Sequence, residues 1–151
     1  NKNILCINGP NINLLGQRNK KHYGIQTYND LQRILKSYVK YKKLNLSFFQ
    51  SNHEGEIIDF IQKKISHFQG IIINAGAYTH TSIAIRDCLE VFDGLIYEVH
   101  ISNIYARENY RRHSYISEVS DGIICGIGFL GYELAIEALT ANLNKEKVRN
   151  V

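Results

Sequence analysis

Glu98 and His100 lie two residues apart at the end of a short apolar run, and in an extended strand residues two apart project from one face. A carboxylate beside an imidazole favours its charged form and fixes its tautomer, as a general acid requires. The same pair could be a satisfied core interaction; its place at a strand end favours function. A second candidate lies in the segment Gly9–Gly24, GPNINLLGQRNKKHYG, where Arg18 and Tyr23 are five residues apart and Asn11 and Asn13 supply amides. A free tyrosine has a pKa of about 10, so only ~0.1% is phenolate at neutral pH. A guanidinium within a few ångströms favours the charged form. Arg18, together with Arg107, could therefore make Tyr23 a usable base. Without such a contact the segment is a solvated loop with a surface Arg and Tyr.

Two further groups could hold a substrate. In Asn74-Ala-Gly-Ala-Tyr-Thr-His80 the small residues let a ligand approach the backbone, while Asn74 and His80 offer donors and acceptors. A lone histidine is more often structural than catalytic, so His80 alone carries little weight. Arg107, Arg111 and Arg112 follow the Glu-His pair, and the planar fork of Arg suits a carboxylate. At least one of the three is expected to be only a salt-bridge partner.

Several motifs point away from other chemistry. Gly126-Ile-Gly128-Phe-Leu-Gly131 has the dinucleotide-binding spacing, but only 20 residues follow it, so no later strand can supply the ribose-binding acid. A tight turn with close helix packing is the expected use of those glycines. The chain has no G-x-x-x-x-G-K-[ST], no H-E-x-x-H and no G-x-S-x-G, and its six His show no metal-ligand spacing. No dinucleotide at that motif and no metal is expected.

These groups are positioned by segments whose hydrophobic period alternates. Asn3–Asn8, Leu44–Gln50, Gly70–Asn74, Gly94–His100 and Gly122–Gly126 read as strands; Thr27–Tyr41, Glu54–Phe68, Thr81–Phe92 and Phe129–Asn144 read as helices. Thr27 with Asp30 three residues later forms a helix-start signature. Near-continuous apolar strands between amphipathic helices indicate a parallel sheet covered on both faces. Five strands in this length point to an open flavodoxin-like α/β sheet of order 2-1-3-4-5. Ligands bind such sheets beyond the carboxyl ends of the strands, where the order reverses. Here that selects Gly9–Ile25, Ala75–His80 and Ile101–His113, the segments crowded with Asn, His, Arg, Tyr and Ser.

Composition sets the class. The 151 residues fit one domain, 1–151; they are 44% hydrophobic and 21% charged, which excludes disorder and collagen-like repeats. A net charge of +4 is unremarkable for an enzyme with an anionic substrate and thin support for nucleic-acid binding. Cys6, Cys88 and Cys125 are odd in number and widely spaced, and read as reduced, packed thiols of a cytoplasmic protein. No apolar stretch approaches a membrane span, and the amino end lacks a signal-peptide pattern.

The runs NGPNINLLG, YG at 23–24, INAGAYTHTSIAIRD at 73–87, EVHISN at 98–103 and ARENYRRHSY at 106–115 together resemble type II 3-dehydroquinate dehydratase over nearly the whole chain. The resemblance implies dehydration of 3-dehydroquinate to 3-dehydroshikimate, the third step of the shikimate pathway, without cofactor or metal, in a homododecamer built from trimers. Some members of the family serve quinate breakdown instead.

Carried over by position, the resemblance implies that Tyr23 is the base for a C2 proton, with Arg18 assisting it and stabilising charge. It makes His100 the acid for the departing C1 hydroxyl, Glu98 the group that orients its ring, and Asn11 the holder of a water at the enolate oxygen. Asn74, His80, the Ile101 and Ser102 backbone amides and Arg111 would bind substrate, Arg107 would lie near the base, and Asp87 would reach a neighbouring subunit's site. The chain departs from the family in the lid loop, where Glu-Pro commonly follows the Arg and Asn19-Lys20 stands here. Losing Pro is expected to loosen the lid, and losing Glu removes a charge partner. A flavodoxin-like binding module without catalysis is the competing reading; a phosphorylated receiver is disfavoured by Asn8-Gly9-Pro10-Asn11 where it needs clustered acids.

Overall fold

The computed structural model describes residues 1–17 and 19–143. Five strands, β1 (Lys2–Asn8), β2 (Leu44–Gln50), β3 (Gly70–Asn74), β4 (Leu95–His100) and β5 (Gly122–Cys125), form one sheet in the order β2-β1-β3-β4-β5. Every pairing is parallel, so the carboxyl ends align: Asn8 pairs with both Gln50 and Asn74, and His100 pairs with Cys125. The expected flavodoxin-like order is the one observed.

Alternation along each inner strand builds two cores. Ile4, Cys6, Ile72 and Val99 face Leu31, Leu35, Tyr132, Ile136 and Leu139 from α2 (Tyr28–Val39) and α5 (Leu130–Asn142). Leu5, Ile7, Ile71, Ile73 and Ile96 face Ile57, Ile61, Ile85 and Leu89 from α3 (Glu54–Lys64) and α4 (Ile83–Glu90). Both faces are covered by helices, which is why β3 is apolar until Asn74.

Local chemistry sets the helix ends. The Thr27 hydroxyl accepts from the Asp30 N–H at 3.1 Å while the Asp30 carboxylate accepts from the Thr27 N–H at 2.9 Å, the reciprocal box anticipated from the spacing. The Ser82 hydroxyl accepts from the Ile85 N–H at 2.9 Å and starts α4. Glu54–Phe68 is not one continuous helix, since the ladder ends at Lys64 and Ile65–His67 tightens into a 3₁₀ turn. The expected end of the last helix, Asn144, lies outside the described residues.

One element had no sequence signal. Residues Lys20–Tyr23 form a single helical turn, α1, whose Asn19 side chain accepts from the Lys21 N–H at 3.1 Å. In this position Asn19 acts as a cap for the turn.

Glycine is required where loops cross. A Cβ on Gly9 would lie 2.2 Å from the Ala75 carbonyl oxygen, so only glycine lets the loops after β1 and β3 meet there. Gly126 (φ 90°) and Gly128 (φ 65°) turn the chain from β5 into α5, and Gly131 is buried against Ile124 and Val99. The G-x-G-x-x-G spacing is thus used for a tight turn and close packing. Among the described residues no helix is long and apolar enough to cross a membrane, and Cys6, Cys88 and Cys125 are all free.

Candidate active site

The carboxyl ends of β1, β3 and β4 border a small, partly open cleft with a cavity volume of about 100 Å³. Nine of the twelve residues singled out from the sequence line it: Asn11, Tyr23, Asn74, His80, His100, Ile101, Ser102, Arg107 and Arg111.

His100 ends β4 and is almost fully buried; its Nε2 is hydrogen-bonded to Glu98 Oε2. Glu98 lies behind the ring, away from the cleft lining, and its carboxylate also accepts from the hydroxyls of Ser114 (2.7 Å) and Ser117. Burial alone would raise the Glu98 carboxyl, but the hydrogen bonds from His100, Ser117 and Ser114 outweigh it and hold it below the ordinary carboxylate range. Glu98 is therefore a carboxylate at neutral pH, Nε2 carries the hydrogen, and Nδ1 is left as the proton-exchanging atom.

A depressed carboxyl stabilises the fold above its unfolded value of about 4.3, and that contribution is lost as pH falls through the lower folded value. Acid titration of thermal stability checks this: Glu98→Gln narrows the wild-type loss below about pH 4. An unchanged slope would contradict it.

Tyr23 closes α1, and its Oη accepts from Arg107 Nη1 at 2.7 Å; the guanidinium carbon also lies 5.4 Å from the ring centroid. Arg107 Nη1 also reaches Ser102 Oγ at 3.3 Å, tying the 104–106 turn to the end of β4. Arg18 lies outside the described residues.

The remaining groups are fixed by backbone. Asn11 adopts a left-handed conformation (φ 69°), which Asn tolerates better than most residues, and its N–H donates to Asn52 Oδ1 at 3.0 Å. His80 Nδ1 donates to the His113 carbonyl at 2.7 Å, and its ring stacks 6.5 Å from that of His100. Burial pushes His80 below the usual imidazole range, against that hydrogen bond and with the His100 and Arg111 charges adding to it. A neutral ring with Nδ1–H bound leaves Nε2 as an acceptor. Arg111 Nε pairs with Glu108 at 2.7 Å.

Asp87 does not join this cleft. It sits on α4 with its side chain 62% exposed and pairs with Arg86 at 3.0 Å. Sequence reasoning missed Ser114, Ser117 and Tyr132. Ser114 fell within a quoted run, but nothing in residue type marked it as a Glu98 donor. Tyr132 reads in sequence only as a core position of α5.

A doubly wound sheet with an acid–base pair and guanidinium groups converging at its switch point is the architecture of an enzyme acting on a small anionic molecule. Known proteins narrow that class. The family model described as dehydroquinase class II matches residues 2–140, and the chain belongs to that family. A 3-dehydroquinate dehydratase of Prochlorococcus marinus is 50% identical over 142 residues, covering 94% of this chain and 97% of the relative. A catabolic 3-dehydroquinase of Aspergillus oryzae is 47% identical over 146 residues, covering 97% of this chain and 95% of the relative. The type II dehydroquinase structure from Butyrivibrio crossotus superposes with a TM-score of 0.90 at 46% identity, covering 92% of this chain and 97% of that one.

Proposed function

We propose that the chain is a hydro-lyase converting 3-dehydroquinate to 3-dehydroshikimate in the shikimate pathway, with Tyr23 as base and His100 as acid. The observation that carries the assignment of roles is their placement: two proton-transfer groups, each with its own charged partner, enter one cleft from different elements, Tyr23 from α1 and His100 from the end of β4. Tyr23 Oη takes the C2 proton, and the electron pair forms an enolate at the C3 oxygen. Collapse of the enolate restores the ketone, forms the C1–C2 double bond and breaks the C1–O bond, while His100 gives a proton to the departing hydroxyl to make water. Negative charge moves from the phenolate to the enolate oxygen, so donors aimed there lower the barrier. In this reading Asn11 holds a water at that oxygen, Arg18 assists the base, and Glu98 keeps the His100 ring in register. Asn74, His80, Ile101, Ser102 and Arg111 bind the substrate's hydroxyls and carboxylate.

Mixing the protein with 3-dehydroquinate is expected to give a steady rise in ultraviolet absorbance from the conjugated enone; a flat trace from folded protein would overturn the reading. The rival route to the same product is a lysine Schiff base. Among the described residues lining the cleft none is a lysine. Borohydride added with substrate should therefore leave activity intact, and progressive inactivation would favour the imine route.

The further proposal is a single catalytic domain working in the cytoplasm as a homododecamer, a tetramer of trimers. In this reading Asp87, exposed and outside its own chain's cleft lining, reaches a neighbour's site. Sedimentation of wild type sets the assembly, and dimers or monomers would contradict it.

A further inference from the structure

Behind the cleft floor three buried side chains that the mechanism does not use, Tyr132, Asn8 and Cys6, continue from Asn74 as a directed hydrogen-bond chain. Asn8 and Asn74 are cross-strand partners at the carboxyl ends of β1 and β3, and the Tyr132 hydroxyl from α5 lies between them. Tyr132 and Asn8 have no exposed surface, and Asn74 is 4% exposed where it lines the cleft.

The polarity of the chain follows from a group that cannot flip. The Gly76 backbone N–H can only donate, so the Asn74 atom 3.2 Å away is its oxygen. The Asn74 nitrogen must then face Tyr132, to which it donates at 3.0 Å. The single Tyr132 proton is thereby directed to Asn8 Oδ1 at 2.7 Å, and the Asn8 nitrogen turns to the Cys6 sulfur at 3.6 Å. Burial pushes the Tyr132 phenol well above its usual range and the Cys6 thiol up to about 12, so neither gives up its proton at neutral pH.

We infer that Tyr132 is a positioning residue that fixes the Asn74 amide with its second N–H toward the cleft, so that the site presents a donor there to a substrate hydroxyl or oxyanion. This rests on the reading of Asn74 as a substrate-binding group. Without the Tyr132 acceptor only the 3.2 Å bond from the Gly76 N–H holds the amide, and a carboxamide that escapes that single bond can turn its oxygen to the cleft and meet the same ligand with the wrong polarity.

The effect should fall on binding. Tyr132→Phe keeps the ring and removes the oxygen, and it is expected to raise KM about tenfold while kcat stays within about twofold, the scale of one misdirected buried hydrogen bond. Asn8→Ala, at a residue that does not line the cleft, should raise KM in the same direction, because the Tyr132 proton then turns back against the Asn74 nitrogen. Both substitutions should lose their effect on KM in an Asn74→Ala background, as shared action through one amide requires. Circular dichroism and melting of each variant show that it is folded.

A purely structural role predicts something else: lower melting temperature with KM unchanged, or equal KM increments with and without Asn74. Either result overturns the proposal. If Asn74→Ala alone leaves KM unchanged, Asn74 is not a substrate ligand and the reading beneath the proposal fails, which the wild-type absorbance assay reports separately.

Discussion

Tyr23→Phe is expected to lower kcat for 3-dehydroquinate by about 10²–10⁴-fold, the usual share of a positioned general base, with little change in KM. The substitution removes one oxygen, the one that accepts from Arg107 at 2.7 Å. The turn that carries it should persist, because α1 is held by backbone bonds from His22 and Tyr23 to the Asn19 carbonyl, both 3.1 Å, and by the Asn19 cap. Circular dichroism and melting should therefore match wild type. Turnover within a few-fold of wild type would place the base elsewhere, while an unfolded variant would be visible in the same spectra.

His100→Ala should cost as much, about 10²–10⁴-fold in kcat, because no proton then reaches the leaving hydroxyl. Here the fold also pays. Glu98 is 1% exposed and loses its imidazole donor, keeping only Ser114 and Ser117. An acceptor left short of a partner in that setting costs about 1–3 kcal/mol, so a lower melting temperature accompanies the lost activity. Calorimetry beside the absorbance assay separates the two effects. A variant with wild-type turnover would exclude His100 as the acid.

Much of this was legible in the amino-acid order because strand ends carry both structure and chemistry. Leu44–Gln50 and Gly70–Asn74 match the observed strands residue for residue. Each runs from a sharp change in hydrophobic period to a polar amide at its carboxyl end. The sheet order then brought distant segments to one rim, which is why residues as far apart as Asn11 and Arg111 were grouped before any geometry.

What escaped has a common physical cause. Lys20–Tyr23 has no apolar period; its helical turn depends on the Asn19 cap. Ser114 and Ser117 matter only because the chain after Arg112 folds back over Glu98, bringing residues 16 and 19 positions away into hydrogen-bond range. Tyr132 joins Asn8 across 124 positions. Contacts of that kind are set by packing, and no local pattern records them. Asp87 is the opposite case: the resemblance assigns it a role that its own chain's cleft does not supply.

The division of labour between Tyr23 and His100 is tested most directly by proton nuclear magnetic resonance of 3-dehydroquinate in D₂O with each variant. Forming and reversing the enolate needs only the base, whereas losing water needs the acid as well. His100→Ala should therefore exchange the C2 proton for deuterium faster than buffer does and make almost no product, and Tyr23→Phe should do neither. Exchange that survives in Tyr23→Phe and vanishes in His100→Ala would contradict the assignment.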